Sequence, residues 1–247
     1  MAAAHLAEGD FRVGSVFSRA AAVLSRHFLT FFIVTMISYW PILLLAMLAR
    51  ARTTTDAVDP AQAFNGLAST ALILVLSTLG EAIIAHAAFQ DIRSRPVRLA
   101  ESLNVVLRRL LPIVGNAFVT KVLILLGFGV LIIPGLILYT VWFVGLPACV
   151  VERLGPLTSL RQSWELTDGH RWKVFGLALL LSIASLGSSL IEFELAAVAG
   201  PNVGLIGKLI WMGPWAAFAT VVGTVTYHDL RVVKEGIDIE QIGVVFD

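Results

Sequence analysis

Six long apolar stretches divide this chain, over residues 28–49, 67–90, 110–129, 131–151, 172–193 and 205–227. About 20 consecutive apolar residues let a helix cross a bilayer. The pattern predicts an all-α, polytopic membrane protein of six spans. The loop at 50–66 is the largest break on its side of the spans, and its TTTDAVDPAQ stretch is polar and turn-prone. Between the third and fourth stretches the interruption is only Gly127, Gly129, Pro134 and Gly135. Proline lacks an amide donor and glycine a side chain, so Pro134-Gly135 is expected to break the helix there.

Three shorter segments carry a different pattern. Val13, Val16, Phe17, Ala20 and Leu24 share one helical face before Arg26-His27. Leu99, Leu103, Val106, Leu107 and Leu110 share another, with Arg108-Arg109 near its end. Leu157, Leu160 and Trp164 share a third before His170-Arg171. Spacings of three, four and seven place such residues on one stripe. The expectation is three interfacial amphipathic helices, each leading into a hairpin of spans. Their arginines would meet anionic head groups of the lipid bilayer. The plainer alternative is that they only cap the bundle.

Charge fixes an orientation. The segments before span 1, between spans 2 and 3, between spans 4 and 5, and after span 6 hold 14 of the 18 Lys and Arg. By the positive-inside rule, this places both termini in the cytoplasm. An even number of spans requires the termini to agree. Glu8 and Asp10 precede the first apolar run, which exceeds the roughly 7–15 residues of a signal-peptide core, so it is expected to stay as an anchor.

Composition agrees. The chain of 247 residues is 57% hydrophobic and 14% charged, against about 45–50% and about 25% in soluble domains. One integral domain is expected over 1–247, without room for a soluble domain of about 100 residues. The lone Cys149 reads as a small apolar packing residue. Nothing points to nucleic acid. The partners expected are the bilayer and a second membrane protein.

Helices in lipid associate through small residues. Ala184, Ser185, Ser188 and Ser189 in span 5, and Ala216, Ala219, Thr220, Gly223 and Thr224 in span 6, form such faces. They predict packing against each other or a neighbour. Tyr39, Trp40, Trp172, Trp211, Trp215 and Tyr227 lie mostly near span ends, as interface anchors do.

Two ionisable residues lie deep in spans. Glu81 stands ten residues before Asp91, and Lys121 ten residues after Leu111. At about 1.5 Å per residue, each sits about 15 Å from the same boundary. Each alone costs about 3 kcal/mol at the bilayer centre. An interior ion pair is the expected resolution, either structural or part of a transport path. His86, Asn116 and Thr120 extend the site. Glu192 and Glu194 end span 5 on the opposite side, where Lys208 snorkels.

No catalytic pattern is present. The five histidines lack zinc spacing. There is no GxSxG elbow. Around Gly207-Lys208, Asn202 and Leu209 stand where a phosphate loop needs glycine and Ser or Thr. Neither catalytic residues, metal nor cofactor are expected.

Three stretches carry a resemblance: FRVGSVFSRAAAVLSRHFLTFF, LIIPGLILYTVWFVGLPACVVERLGPLTSLRQSWELTDGHRWKVFG and TYHDLRVVKEGIDIE. They resemble the membrane-domain family of glycerophosphoryl diester phosphodiesterase and the related YciC-like inner-membrane proteins. The most specific positions are Pro134-Gly135, Glu152, Ser159 to Ser163, Leu166 to Gly169, Leu230-Arg231 and Lys234 to Gly236. The catalytic barrel of some relatives has no counterpart in this chain. The resemblance therefore implies a bacterial inner-membrane module without phosphodiesterase activity, acting in membrane or lipid homeostasis or supporting a partner. A transporter or channel for a small solute or lipid is the alternative. The motif residues Glu152, Arg161, Asp168, Gly169, Arg231, Lys234 and Glu235 would form a cytoplasmic polar cluster. In it Glu152 could pair with Arg161, Asp168-Gly169 would end a helix, and the Arg231–Glu235 segment would dock on the 4–5 connection.

Overall fold

The computed structural model describes residues 11–52 and 60–235. Every element among the described residues is a helix: α1 (Val13–Arg26), α2 (Phe28–Arg52), α3 (Pro60–Ile92), α4 (Leu99–Arg108), α5 (Leu110–Val130), α6 (Ile132–Val141), α7 (Gly145–Val151), α8 (Pro156–Thr167), α9 (Arg171–Ala199) and α10 (Pro201–Glu235). The prolines explain many of the boundaries. Pro60, Pro112, Pro134, Pro147, Pro156 and Pro201 all fall in first turns. A missing amide is harmless there, because first-turn amides have no partner within the helix.

Four segments are long and apolar enough to cross a bilayer: Ala68–Ile92, Leu110–Val130, Ile132–Val151 and Arg171–Leu190. α1 with Phe28–Pro41 makes a fifth if that pair, bent by 85°, counts as one. α10 is not among them; it carries Lys208 towards one end and His228-Asp229-Leu230-Arg231 towards the other. The described residues thus support four to five candidate spans, where the apolar pattern alone gives six. Leu125, Val130, Ile132, Ile133, Leu186 and Leu190 are each more than half exposed. Soluble monomers seldom show apolar patches beyond about 300–600 Å². Such a surface is compatible with a membrane protein.

α10 is the hub. It packs against α9, α3, α2 and α1, and its Ala217, Val221, Val222 and Val225 lie in the main core. α2 is held close by two glycines. A Cβ on Gly80 of α3 would come within 2.3 Å of the Ser38 hydroxyl, and one on Gly213 of α10 within 2.4 Å of Met36.

The three amphipathic segments are helical, and they differ in what covers their stripes. α1 buries Val16, Ala20 and Val23 in the main core, and Phe17 stacks on Phe218 of α10. α8 buries Ser159, Leu160, Ser163, Leu166 and Thr167, whereas Leu157 and Trp164 of its expected stripe face outward. α4 alone points its leucines away: Leu103 and Leu107 are exposed and Ser102 and Val106 are buried.

The fourth span is not continuous. α6 ends at Val141, residues 142–144 turn, and α7 begins at Gly145. Pro147 has no amide to give the Phe143 carbonyl, so that rung of the ladder is missing. The Gly145 amide goes to the Trp142 carbonyl. Val141 would have been its acceptor in an unbroken helix.

The hairpin between α5 and α6 is also closer than expected. The break falls on Leu131 alone, which is extended, while Pro134 and Gly135 sit inside the first turn of α6. Gly135 serves contact instead: a Cβ on Gly127 would lie 2.9 Å from the Gly135 Cα, and one on Gly135 would lie 2.4 Å from the Phe128 ring.

Among the small-residue faces, α9 turns Val174, Leu177, Ala178 and Leu181 inward, and Ala184 and Ser189 are exposed. Trp40, Trp172 and Trp211 stand at the surface, but Tyr39 and Tyr227 are buried. Cys149 is buried in a small second core with Val106 and Ile113. The side chains of Glu192 and Lys208 lie outside the described residues, as do residues 53–59 of the 1–2 loop.

Gly127→Ala should overpack the hairpin by about 1–3 kcal/mol. Thermal unfolding of the detergent-purified chain should fall by about 2–10 °C. Gly129→Ala, whose Cβ would meet nothing within 4 Å, should leave the midpoint where it is. Equal midpoints for the two variants would refute the contact.

Candidate functional site

A cavity of about 370 Å³ opens between α3, α5, the α6–α7 turn and α10. α10 turns Ala216, Ala219, Thr220 and Gly223 towards it, so part of its small-residue face lines this space, while α10 also packs on α9. Tyr139, Trp142 and Phe143 form an aromatic wall, placed there by the break in the fourth span. α5 contributes Asn116, Thr120 and Lys121, and α3 contributes Glu81. These four are the main polar groups of a chiefly apolar lining.

Glu81 and Lys121 therefore share one cavity, but the expected direct ion pair is not formed. Glu81 is half-buried, whereas Lys121 is exposed at the rim, within electrostatic reach. A lysine stem is long enough to carry its ammonium to the mouth of such a site. The Thr120 hydroxyl is buried with no hydrogen-bond partner among the described residues. The Asn116 amide is already engaged: Nδ2 donates to Ser159 Oγ at 2.7 Å and to the Pro156 carbonyl at 3.3 Å.

His86 does not extend this cavity. Five residues beyond Glu81, it lies about 140° around α3. Its Nδ1 is 2.9 Å from Ser102 Oγ of α4, and it lines a different cavity at the basic end of the bundle.

The basic end is tied by carboxylates that the apolar pattern does not single out. Asp91 at the end of α3 takes Arg26 at 2.8 Å and His27 at 3.0 Å. Asp229 of α10 takes Arg19 of α1, and His228 Nδ1 stands 3.5 Å away. Glu152 accepts from the Tyr227 hydroxyl and lies 3.3 Å from Arg231, which also donates to Tyr227 Oη at 2.9 Å. These contacts join α1, α3, α7 and α10 at one level.

The motif residues divide between this network and the surface. Glu152 pairs with Arg231, not with Arg161. Arg161 sits two residues, about 200°, around α8 from the buried Ser159, and pairs with Glu165 at 2.9 Å on the exposed face. Lys234 donates to the Glu165 carbonyl, so the end of α10 meets α8. The Glu235 side chain lies outside the described residues. α8 ends at Thr167; Gly169 adopts φ +80°, and Asp168 lies 3.2 Å from Arg171. A left-handed residue just past a helix is glycine's usual place.

The buried face of α8 explains the serines of the motif. Ser163 Oγ donates to the Val141 carbonyl at 2.7 Å, the group freed by the break after α6. Thr167 Oγ1 reaches the same carbonyl at 3.5 Å. Ser159 receives Asn116. Tyr227, Asp91 and Asp229 escape sequence reasoning as partners. The available signal was Tyr227 and Arg231 four residues apart, on one helical face. Among the described residues, no group of three or more His, Cys, Asp and Glu is placed to hold a metal ion.

A family model described as a domain of unknown function (DUF7847) matches residues 102–230. That range contains Lys121, the α6–α7 break and the Ser159, Ser163 and Thr167 face, and begins after Glu81. No curated protein and no solved structure matches the chain.

Ser163→Ala should leave the Val141 carbonyl only the long Thr167 contact and cost about 1 kcal/mol, the loss of one good hydrogen bond. Arg161→Ala, on the exposed face of the same helix, should stay within about 0.5 kcal/mol of the parent. Chemical denaturation of both variants in one detergent checks this, and an unperturbed Ser163→Ala would dismiss that bond.

Proposed function

We propose that this chain, which belongs to the DUF7847 family, is a non-enzymatic module of a bacterial inner membrane that holds a lipid or similar amphiphile at membrane depth. In this reading six helices cross the bilayer, and the basic end with both termini faces the cytoplasm. The resemblance to the membrane-domain family of glycerophosphoryl diester phosphodiesterase supports a role carried by the membrane helices themselves.

One observation carries the proposal: the partly open cavity of about 370 Å³ that holds Glu81, Asn116, Thr120 and Lys121 in an apolar wall. Ligand sites are usually mostly apolar concavities with a few placed polar groups. An intramembrane ionisable residue is by default a functional hypothesis. An acyl chain suits the wall of Tyr139, Trp142 and Phe143, and a small polar group suits the Lys121 rim. A second reading, transport of a lipid or small solute, is favoured by the separation of Glu81 from Lys121. A purely structural pair would close on itself, whereas these charges stand apart across a space.

The full chain purified in native lipid, followed by mass spectrometry of the co-purifying molecules, tests the proposal. One lipid class should be retained, and Glu81→Gln with Lys121→Met should reduce it about tenfold, the effect of about 1.4 kcal/mol. A lipid complement identical in parent and double variant would count against the reading. A stoichiometric protein in place of lipid would replace it with partner support. Solute flux in sealed vesicles that Glu81→Gln abolishes would favour transport.

A further inference from the structure

From the basic end of the bundle we infer that a second cavity, walled by Arg93, Arg95, Arg98, Arg153 and Arg231, binds the phosphate of an anionic lipid head group. The cavity measures about 460 Å³ and lies among the end of α3, the α3–α4 connection, α4 and the end of α7. It shares no lining residue with the Glu81 cavity. The inference uses the membrane placement proposed above but not the occupancy of that first site.

The charge balance is one-sided. Five guanidinium groups line the cavity; Arg231 is paired with Glu152, which leaves four beside Glu101, the carboxylate of the lining. Arg93, Arg95, Arg98 and Arg153 have no carboxylate within ion-pair distance among the described residues. The other acids nearby are already used: Asp91 by Arg26 and His27, Glu152 by Arg231 and Tyr227. Like charges gathered without counter-charges repel, so a bound anion is the missing partner. Arginine, with its planar fork of donors, matches phosphate oxygens in pairs.

The backbone is held for this arrangement. Ser94 at φ 54° and Arg153 at φ 56° are the non-glycine residues in the left-handed region among the described residues, and they flank this one cavity. Such residues persist where the surroundings over-determine them, often at ligand clamps. Gln90 provides the hold: its main-chain carbonyl accepts the Arg95 amide at 2.9 Å, and its buried side chain accepts the Arg98 amide at 3.2 Å. Arg93 is steadied over the Phe89 ring, 4.9 Å from its centroid. The loop of arginines is thus built on the end of α3.

The surroundings favour a lipid over a free anion. α4, which forms one wall, exposes Leu103 and Leu107 on its outer side, and these suit the hydrocarbon boundary. Half-buried Val151 adds an apolar edge, while Phe89 and Val150 are buried behind it. A phosphate at the guanidinium groups with hydrocarbon along Leu103 and Leu107 is the order of groups in a phospholipid.

The test titrates the full chain in detergent with phosphatidylglycerol, phosphatidylcholine and inorganic phosphate, and reads bound species by native mass spectrometry. Phosphatidylglycerol should bind in preference to phosphatidylcholine. Arg95→Gln and Arg153→Gln should each weaken it about fivefold. Both side chains are exposed, so the fold survives the change. Arg161→Gln, an exposed arginine outside the cavity, should leave it unchanged. Arg95→Lys, which keeps the charge and loses the fork, should weaken binding by less than Arg95→Gln. Equal losses in all the Gln variants would reduce the effect to general surface charge, and no loss in any of them would equally overturn the inference. Displacement by inorganic phosphate at matching concentration would overturn the lipid as occupant in favour of a soluble phosphate compound.

Discussion

Hydrocarbon offers no hydrogen bonds, so a spanning segment that breaks must find partners for its freed backbone groups inside the protein. In this chain that obligation centres on the carbonyl of Val141. The fourth span stops there, turns through three residues, and resumes as α7. Ser163 of α8 supplies the missing donor at 2.7 Å. Because the donor belongs to another helix, the break is also a docking site, and α8 is drawn against α5, α6 and α7. Asn116 then closes onto Ser159 from α5. The turn that created the need sends Trp142 and Phe143 into the wall of the intramembrane cavity. The defect in the helix, the seat of α8 and the aromatic wall follow from one interrupted ladder.

A second rule governs the basic end. Charge is abundant there, but it is sorted. Asp91, Glu152 and Asp229 sit where helices meet, each largely buried and each served by a cation from another helix or by a tyrosine that relays one. The carboxylates are largely buried while their arginines reach solvent, so each carboxylate depends on a cation from another helix, and these contacts join α1, α3, α7 and α10. The arginines of the α3–α4 connection lie outside that network. The same end thus contains a paired frame and, beside it, a cavity whose Arg93, Arg95, Arg98 and Arg153 lie outside the pairs, with Arg231 shared between the two.

How much of this could be read from the residues depends on the range of the interaction. Apolar length gave the helices, because a run such as 110–129 has no polar group to place. The glycine and proline cluster at 127–135 announced a hairpin, but not that Leu131 alone would turn it, since proline is harmless in a first turn. Amphipathic stripes predicted α1, α4 and α8 as helices and misjudged two of their partners. Val16 and Ala20 meet α10 rather than lipid, and the inward face of α8 is its serines. A stripe says which residues share a side; it does not say what covers them. Glu81 and Lys121 were matched by depth alone, and depth leaves rotation free. Here rotation brought them to one cavity without bringing them into contact.

That separation has a consequence for the chemistry. Two opposite charges in an apolar cavity would lower their own cost most by closing on each other, and the small residues of α10 leave room for them to do so. The structure keeps Glu81 half-buried on α3 and carries Lys121 to the rim on α5. The aromatic side chains between α6 and α7 fill one wall, yet a buried Thr120 hydroxyl remains without a partner. The α5–α6 hairpin on the same side is tightly packed, since a Cβ on Gly127 would lie 2.9 Å from the Gly135 Cα. A hairpin that tight can hold α5 and α6 at fixed separation around an occupant. In the proposed reading, the polar groups of the cavity are half of an interaction whose other half enters from the membrane.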